Sequence, residues 1–252
     1  MKALVFAAGK GTRLKPITDS IPKALVPVCG KPLVCYVLEK LKKAGFCDVV
    51  VNVHHFAEQI MDFLPNAECA QGMNISFSDE RSQLLETGGG IKRAEKLLGG
   101  SEPFLVHNVD ILSNLDLGAM LKVHLEQRPL ATLLVSSRKT ARYLLFDSND
   151  NLVGWTNTDT GEIRSPYSEI AGGDINKLGL KMYAFGGIHV ISPEIFAMMR
   201  DMPDAFPIMD FYIGNCNRCT IKAYVKENLE MVDVGKLDTI HSAEDFVRRY
   251  GL

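Results

Sequence analysis

Short apolar runs alternate with amphipathic stretches along the first 136 residues, and that alternation leaves few folds open. "KALVFAA" (2–8) is almost continuously apolar, as expected of a strand buried on both faces. "KPLVCYVLEKLKKAGF" (31–46) instead repeats Leu33, Tyr36, Val37, Leu41 and Ala44 at helical spacing. Pro32 suits the first turn of that helix, and Lys40, Lys42 and Lys43 before Gly45 suit its end. The same reading predicts strands at 48–53, 73–78, 103–108 and 130–136, and helices at 57–63, 88–98 and 117–127. Strand-helix-strand order predicts an α/β fold whose sheet is mostly parallel, with helices on both faces. Beyond residue 136 the pattern changes. "RYLLFD", "NLVGWT", "LKMYAFGGIHVIS", "TIKAYV" and "NLEMVDV" are strand-like with few helices between them, which predicts an appended antiparallel portion. A helix over 236–250 closes the chain, and residues 157–177 are the most loop-like stretch, the candidate for a mobile flap.

The 252 residues suit one domain, with a division near residue 136 between its two halves, about 1–136 and 137–252. A net charge of −2 gives no bulk attraction to nucleic acid or to an anionic membrane. No apolar run reaches the roughly 18–20 residues of a membrane span, and the N-terminus does not read as a signal peptide. The expectation is a cytoplasmic protein, monomer or homodimer, with neither nucleic acid nor membrane as partner. The six cysteines do not form a disulfide framework by spacing: Cys35 and Cys47 read as small core residues, and "CNRC" (216–219) as a pair of reduced thiols rather than half of a metal or redox site. "VHH" (53–55) reads as a strand end, because adjacent residues of a strand point to opposite faces.

Charge is concentrated where the first strand ends. Within residues 1–30 stand Lys2, Lys10, Arg13, Lys15 and Lys23 against the single acid Asp19. Cations beside the bare backbone of Gly9 and Gly11 suit an anionic ligand, phosphate above all. The loop is neither of the common phosphate loops. Lys10 precedes Gly11, so the Walker arrangement fails, and Leu14 stands where a dinucleotide fingerprint needs glycine. Pro16 disfavours a long helix directly after the glycines, so the loop should wrap the phosphates itself.

The longer string "AAGKGTRLKPITDSIPKALVPV" (7–28) closely resembles the signature of the sugar-phosphate nucleotidyltransferases. The resemblance implies a Rossmann-like nucleotide-binding half, a sugar-binding half, and a reaction that joins a nucleoside triphosphate to a sugar 1-phosphate with release of pyrophosphate. It implies that Ala8, Gly9, Gly11 and Thr12 hold the triphosphate, that Arg13 contacts the leaving phosphates, and that Lys23 bridges the α-phosphate and the sugar phosphate. The chemistry suits those types: two anions must meet, and positioned cations supply most of such catalysis. No protein nucleophile is needed.

Magnesium should neutralise the triphosphate, bound by a few carboxylates and phosphate oxygens. Asp110 in "HNVD" (107–110) and Asp233 in "VDVGK" (232–236) each follow a strand. Alone, each is as readily a turn residue; the family pattern implies that both bind the metal, although Val109 and Lys236 stand where it carries glycine and threonine. "LLETGGGI" (84–91) places three glycines at a helix start, which a ligand packed on the backbone would explain. The resemblance makes Thr87 and Gly88 base contacts and puts Asn108 near the ribose. Gly187 in "YAFGGIHV" and Asp210 in "FPIMDFY" are sugar candidates that could equally be packing or a helix cap. "LETGGG" and the compact length are most similar to the bacterial branch using UTP and N-acetylmuramate 1-phosphate in cell-wall recycling. The lactyl carboxylate of that sugar would need a cation, for which Lys177, Lys181 and Lys236 are candidates. The alternatives are guanylyl transfer to mannose or heptose 1-phosphate, cytidylyl transfer to an alcohol phosphate such as phosphocholine, and a nucleotide-sensing module without activity. The second wants an aromatic box around its ammonium, and only Trp155 is available.

Overall fold

A computed structural model describes residues 1–252, apart from the side chain of Asn176. β1 (Lys2–Phe6) is buried on both faces, Leu4 entering one apolar cluster and Ala3 and Val5 the other. α1 (Leu33–Lys43) follows, then β2 (Asp48–Val53), α2 (Ala57–Phe63), β3 (Asn74–Asp79) and α3 (Glu86–Arg93). β4 (Phe104–Asn108), β5 (Ile111–Ser113), α4 (Leu117–Gln127) and β6 (Ala131–Ser136) complete the first half. The second half holds β7 (Arg142–Phe146), β8 (Leu152–Asn157), β9 (Glu162–Arg164), β10 (Lys181–Ile191), α5 (Ile208–Asn215), β11 (Ile221–Val225), β12 (Met231–Asp233) and α6 (Ile240–Tyr250).

One large sheet runs in the order β9-β8-β7-β10-β4-β1-β2-β3, with β6 beside β10 and β11 beside β6. β4, β1, β2 and β3 are parallel. The register sets Phe6 level with Asn52 and Asn108, so three strands end together. Ligands bind in the crevice outside such strand ends. The predicted α/β class stands, with a mixed sheet around a parallel core. The antiparallel part is woven into that sheet: β10 lies between β4 and β6, pairing antiparallel with both. Its residues Gly186–Ile191 are all buried, which suits an interior strand.

Two expectations are corrected. Residues 157–177 are no bare loop: β9 pairs with β8, and buried Ile170 packs against Leu145 and Val153. Cys35 is not a lone core thiol. It is disulfide-bonded to Cys69, because the turn after α2 packs on α1 and brings the Cα atoms to 5.3 Å. That pairing joins residues 34 positions apart, which spacing alone does not reveal. Cys216 and Cys219 are free thiols following α5, each donating to a backbone carbonyl. β2 ends at Val53, so His54 and His55 lie beyond it. Among the described residues no helix is long and apolar enough to cross a membrane.

Candidate active site

The loop after β1 is shaped by its own glycines and by one asparagine. Ala7 and Ala8 each donate a backbone N–H to Asn52 Oδ1, at 2.7 and 3.1 Å. Gly11 has φ +62°, and a Cβ there would lie 2.9 Å from Thr18 Cγ2, so only glycine fits. Thr18 locks the turn by donating from Oγ1 to the Gly11 carbonyl at 2.8 Å. Nothing in the protein approaches the place of a Cβ on Gly9, which faces open space in the cleft.

The charged residues gain their positions from buried neighbours in sequence. Leu14, Val26 and Val234 are fully buried in one apolar cluster with α6. Arg13 and Lys23, from one short stretch, therefore stand around that cluster near Asp233, which comes from the far end of the chain. Asp110 joins them because β5 pairs with β12, with Val234 N–H donating to the Asp110 carbonyl at 2.8 Å. Lys23 Nζ is ion-paired with Asp110 Oδ2, both side chains being largely buried. The carboxyl groups of Asp110 and Asp233 are within hydrogen-bonding reach. Burial, and next the charge of Asp110, raise the Asp233 carboxyl above its ordinary pKa, while Lys23 and Arg13 pull it down. A Cβ on Gly235 would lie 2.9 Å from Arg13 Nη2, so the guanidinium packs against that glycine. Two half-compensated carboxylates suit a divalent cation that takes its remaining ligands from phosphate and water; among the described residues no cluster of three or more metal-ligating side chains occurs.

A cleft of about 320 Å³ opens at the level strand ends. Ala8, Gly9, Lys23, Thr87, Asn108 and Asp110 line it, as do three residues the sequence reading missed: Asn52, Glu80 and Glu86. The signal for Asn52 was present, because a polar residue inside "DVVVNV" needs a buried partner. Glu86 has φ +59°, a left-handed conformation uncommon outside glycine. Gly11, Thr12, Arg13 and Asp233 do not line this cleft.

Residues 2–146 match the nucleotidyl transferase family. Over 212 residues the chain is 38% identical to an N-acetylmuramate alpha-1-phosphate uridylyltransferase of Caulobacter vibrioides, covering 80% of this chain and 79% of the relative. The chain belongs to the nucleotidyl transferase family. A uridylyltransferase of the same description from Neisseria meningitidis is 48% identical over 119 residues, 47% of this chain and 51% of that one. Among solved structures, a UDP-glucose pyrophosphorylase complexed with UDP-glucose superposes with a TM-score of 0.77 over 99% of this chain and 98% of its own, at 20% identity, a likeness of fold.

Within this nucleotidyl transferase the first two glycines of the triplet are pressed by protein neighbours. Gly88 is buried, its N–H donating to the Phe206 carbonyl at 2.8 Å, and a Cβ there would lie 2.3 Å from the Phe206 ring. A Cβ on Gly89 would lie 2.0 Å from the Asp204 carbonyl oxygen. The glycines admit the 204–206 segment against α3, while Thr87 alone of the predicted base contacts lines the cleft. Gly187 has φ +74° and abuts Asn108 and Ile111, so close packing again explains the glycine. Asp210 lies in the first turn of α5 and accepts from Arg164 Nη2 at 2.8 Å. That guanidinium also faces the Trp155 ring at 5.8 Å, a place an aromatic box would reserve for the substrate's ammonium. Of the three candidate lysines, Lys181 is held by Asp150 at 2.7 Å and Lys177 lies 3.6 Å from Asp174, whereas Lys236 follows the Asp233 turn.

Proposed function

We propose that this protein transfers a nucleotidyl group from a nucleoside triphosphate to a sugar 1-phosphate, releasing pyrophosphate. The observation that carries the reading is the meeting of Arg13, Lys23, Asp110 and Asp233 beside a cleft floored by Gly9 and Asn52. The first half of the chain takes the nucleotide: Ala8, Gly9, Gly11 and Thr12 face the triphosphate, Thr87 and the adjoining Gly88 border the base, and Asn108 borders the ribose. The second half takes the sugar phosphate near Gly187 and Asp210. Asp110 and Asp233 would hold magnesium, which would supply charge neutralisation for the triphosphate. Lys23 leaves Asp110 for the phosphates when substrates enter, and steadies charge on the α-phosphoryl oxygens. An oxygen of the sugar phosphate attacks the α-phosphorus as its bond to the β-phosphate oxygen breaks. Arg13 then holds the departing pyrophosphate, as a forked guanidinium suits.

The preferred pair is UTP with N-acetylmuramate 1-phosphate, giving a nucleotide sugar of cell-wall recycling in the cytoplasm. Support comes from the two uridylyltransferase relatives, from "LETGGG", and from Lys236, which follows Asp233 closely in sequence, as a cation for the lactyl carboxylate. The test is a grid of four nucleoside triphosphates against sugar 1-phosphates, read by pyrophosphate release with magnesium. Release with UTP and N-acetylmuramate 1-phosphate above all other pairs is expected. At least tenfold faster turnover of GTP with mannose or heptose 1-phosphate would replace the substrate assignment. No release with any pair would overturn the reaction class.

A further inference from the structure

Beyond Phe6 the chain leaves both neighbouring strands, and the next two backbone N–H groups have no ladder partner. Asn52 Oδ1 accepts both. The other end of the same side chain donates from Nδ2 to Glu80 Oε1 at 2.8 Å. Glu80 in turn accepts the Leu85 N–H on Oε2 at 3.3 Å. Asn52 and Glu80 are 2% and 1% exposed, so these bonds are made away from bulk water. A Cβ on Gly90 would lie 3.0 Å from Glu80 Oε1 and 3.3 Å from Asn52 Nδ2, so α3 is glycine where it crosses the pair. One amide and one carboxylate thus tie the start of the triphosphate loop to residue 85, just before the left-handed Glu86 and Thr87.

Among the described residues Glu80 makes no ion pair. Arg93 supplies a favourable charge only at longer range, and a buried carboxylate without a direct ion pair is costly and persists where its acceptor geometry is needed. Burial accordingly raises its carboxyl above the ordinary pKa.

We infer that Asn52 and Glu80 are positioning residues for nucleotidyl transfer: their buried amide–carboxylate pair sets the spacing between the loop that holds the triphosphate and the loop that borders the base. A nucleotide must fit both loops at once, so a change in their spacing misplaces the α-phosphorus relative to Lys23. Misplacement by about 1 Å costs on the order of 100-fold in rate. This inference rests on the proposed reaction, and the test separates the two.

The bonds can be reversed in polarity without losing any. In Asn52→Asp, the carboxylate still accepts from Ala7 and Ala8 but faces Glu80 with like charge. In Glu80→Gln, one end of the amide must turn a donor toward Leu85 N–H or toward Asn52 Nδ2. In the double variant, the carboxylate introduced at position 52 accepts from Ala7, Ala8 and the amide introduced at position 80, whose oxygen accepts from Leu85. Each single variant is expected to lose about 10- to 100-fold in kcat/KM, mostly in kcat, with magnesium and the best substrate pair of the grid. The double variant is expected to recover to within about threefold of the parent. Thermal midpoints and circular dichroism accompany each variant; if Asn52→Asp fails to fold, Glu80→Gln and the double variant still decide. Single variants as active as the parent overturn the inference. So does a double variant no better than Glu80→Gln, which would make the Glu80 charge itself the acting group. Parent protein inactive with every pair overturns the proposed reaction instead, and the spacing role with it.

Discussion

Lys23 is fixed at its base by Ala24 and Val26, both fully buried, and at its tip by Asp110. Its replacement therefore removes a positioned charge rather than a mobile one. Lys23→Ala should lower turnover by about 10²–10³ or more with an unchanged circular dichroism spectrum. Near-normal turnover in folded protein would move Lys23 out of the chemistry. Asp110 and Asp233 come from opposite halves of the chain but meet where β5 pairs with β12, and both lie beside Lys23. If they hold one ion, their losses overlap. Asp110→Asn and Asp233→Asn should each raise the magnesium needed for half-maximal rate, and the double variant should fall little below the worse single one. Losses that multiply fully would assign the carboxylates separate tasks.

At the scale of elements, α3 is seated through its glycines. The Gly88 and Gly89 N–H groups both donate to the Phe206 carbonyl, and the Ile208 N–H donates to Thr87 Oγ1 at 2.9 Å. Gly89→Ala forces a Cβ against the Asp204 carbonyl and should destabilise by about 1–3 kcal/mol, as overpacking does. Urea unfolding measures this, and an unchanged midpoint would mean that the 204–206 segment yields freely. The β8–β9 hairpin makes the opposite point about a segment that reads as loop. Trp155 to Asn157 pair with Glu162 to Arg164, so their ladder amides should exchange slowly even without ligand. Exchange as fast as in the exposed turn at Asp159 to Gly161 would restore the mobile-flap reading.

The whole molecule carries three buried neutral imidazoles: His107, whose pKa burial likewise lowers to about 4 and which lies near Asp110, and two remote from the charged cluster. His124 lies between Thr132 Oγ1 and Ser192 Oγ, at 2.9 and 3.0 Å, and His189 Nδ1 is 2.8 Å from Tyr212 Oη. Burial lowers their pKa values from 6.5 to about 4 and about 3. Below pH 6.5 the unfolded chain takes up protons that the folded protein refuses until those lower values. Stability therefore rises with pH across this window and is lost as pH falls through it. Between pH 7 and pH 5 the loss should be about 2 kcal/mol for each imidazole, a large part of an ordinary domain's roughly 5–15 kcal/mol. Urea midpoints at both pH values measure it, and His124→Asn should remove that ring's share of the dependence, about 2 kcal/mol, and leave the rest. A midpoint unchanged between pH 7 and pH 5 would show that these rings are protonated inside the fold.

Local strings determined the parts of this protein that depend on near neighbours. "KALVFAA" and "DVVVNV" specify strands buried on both faces, and "GKGTRL" specifies a cationic loop whose Gly11 must adopt positive φ. The family signature over 7–28 carried the reaction class, and the strand-end acids were visible as candidates. The tertiary structure alone decided which of these meet. The β5–β12 ladder sets Asp110 beside Asp233, β10 enters the sheet between β4 and β6, and Cys35 reaches Cys69. It also decided that Gly88, Gly89 and Gly187 answer to protein neighbours, and that Asn52 and Glu80 join two loops. Periodicity reports which face of an element is buried. It carries no information about which distant segment covers that face, and that covering segment determines why a glycine is required or where a buried polar group finds its partner.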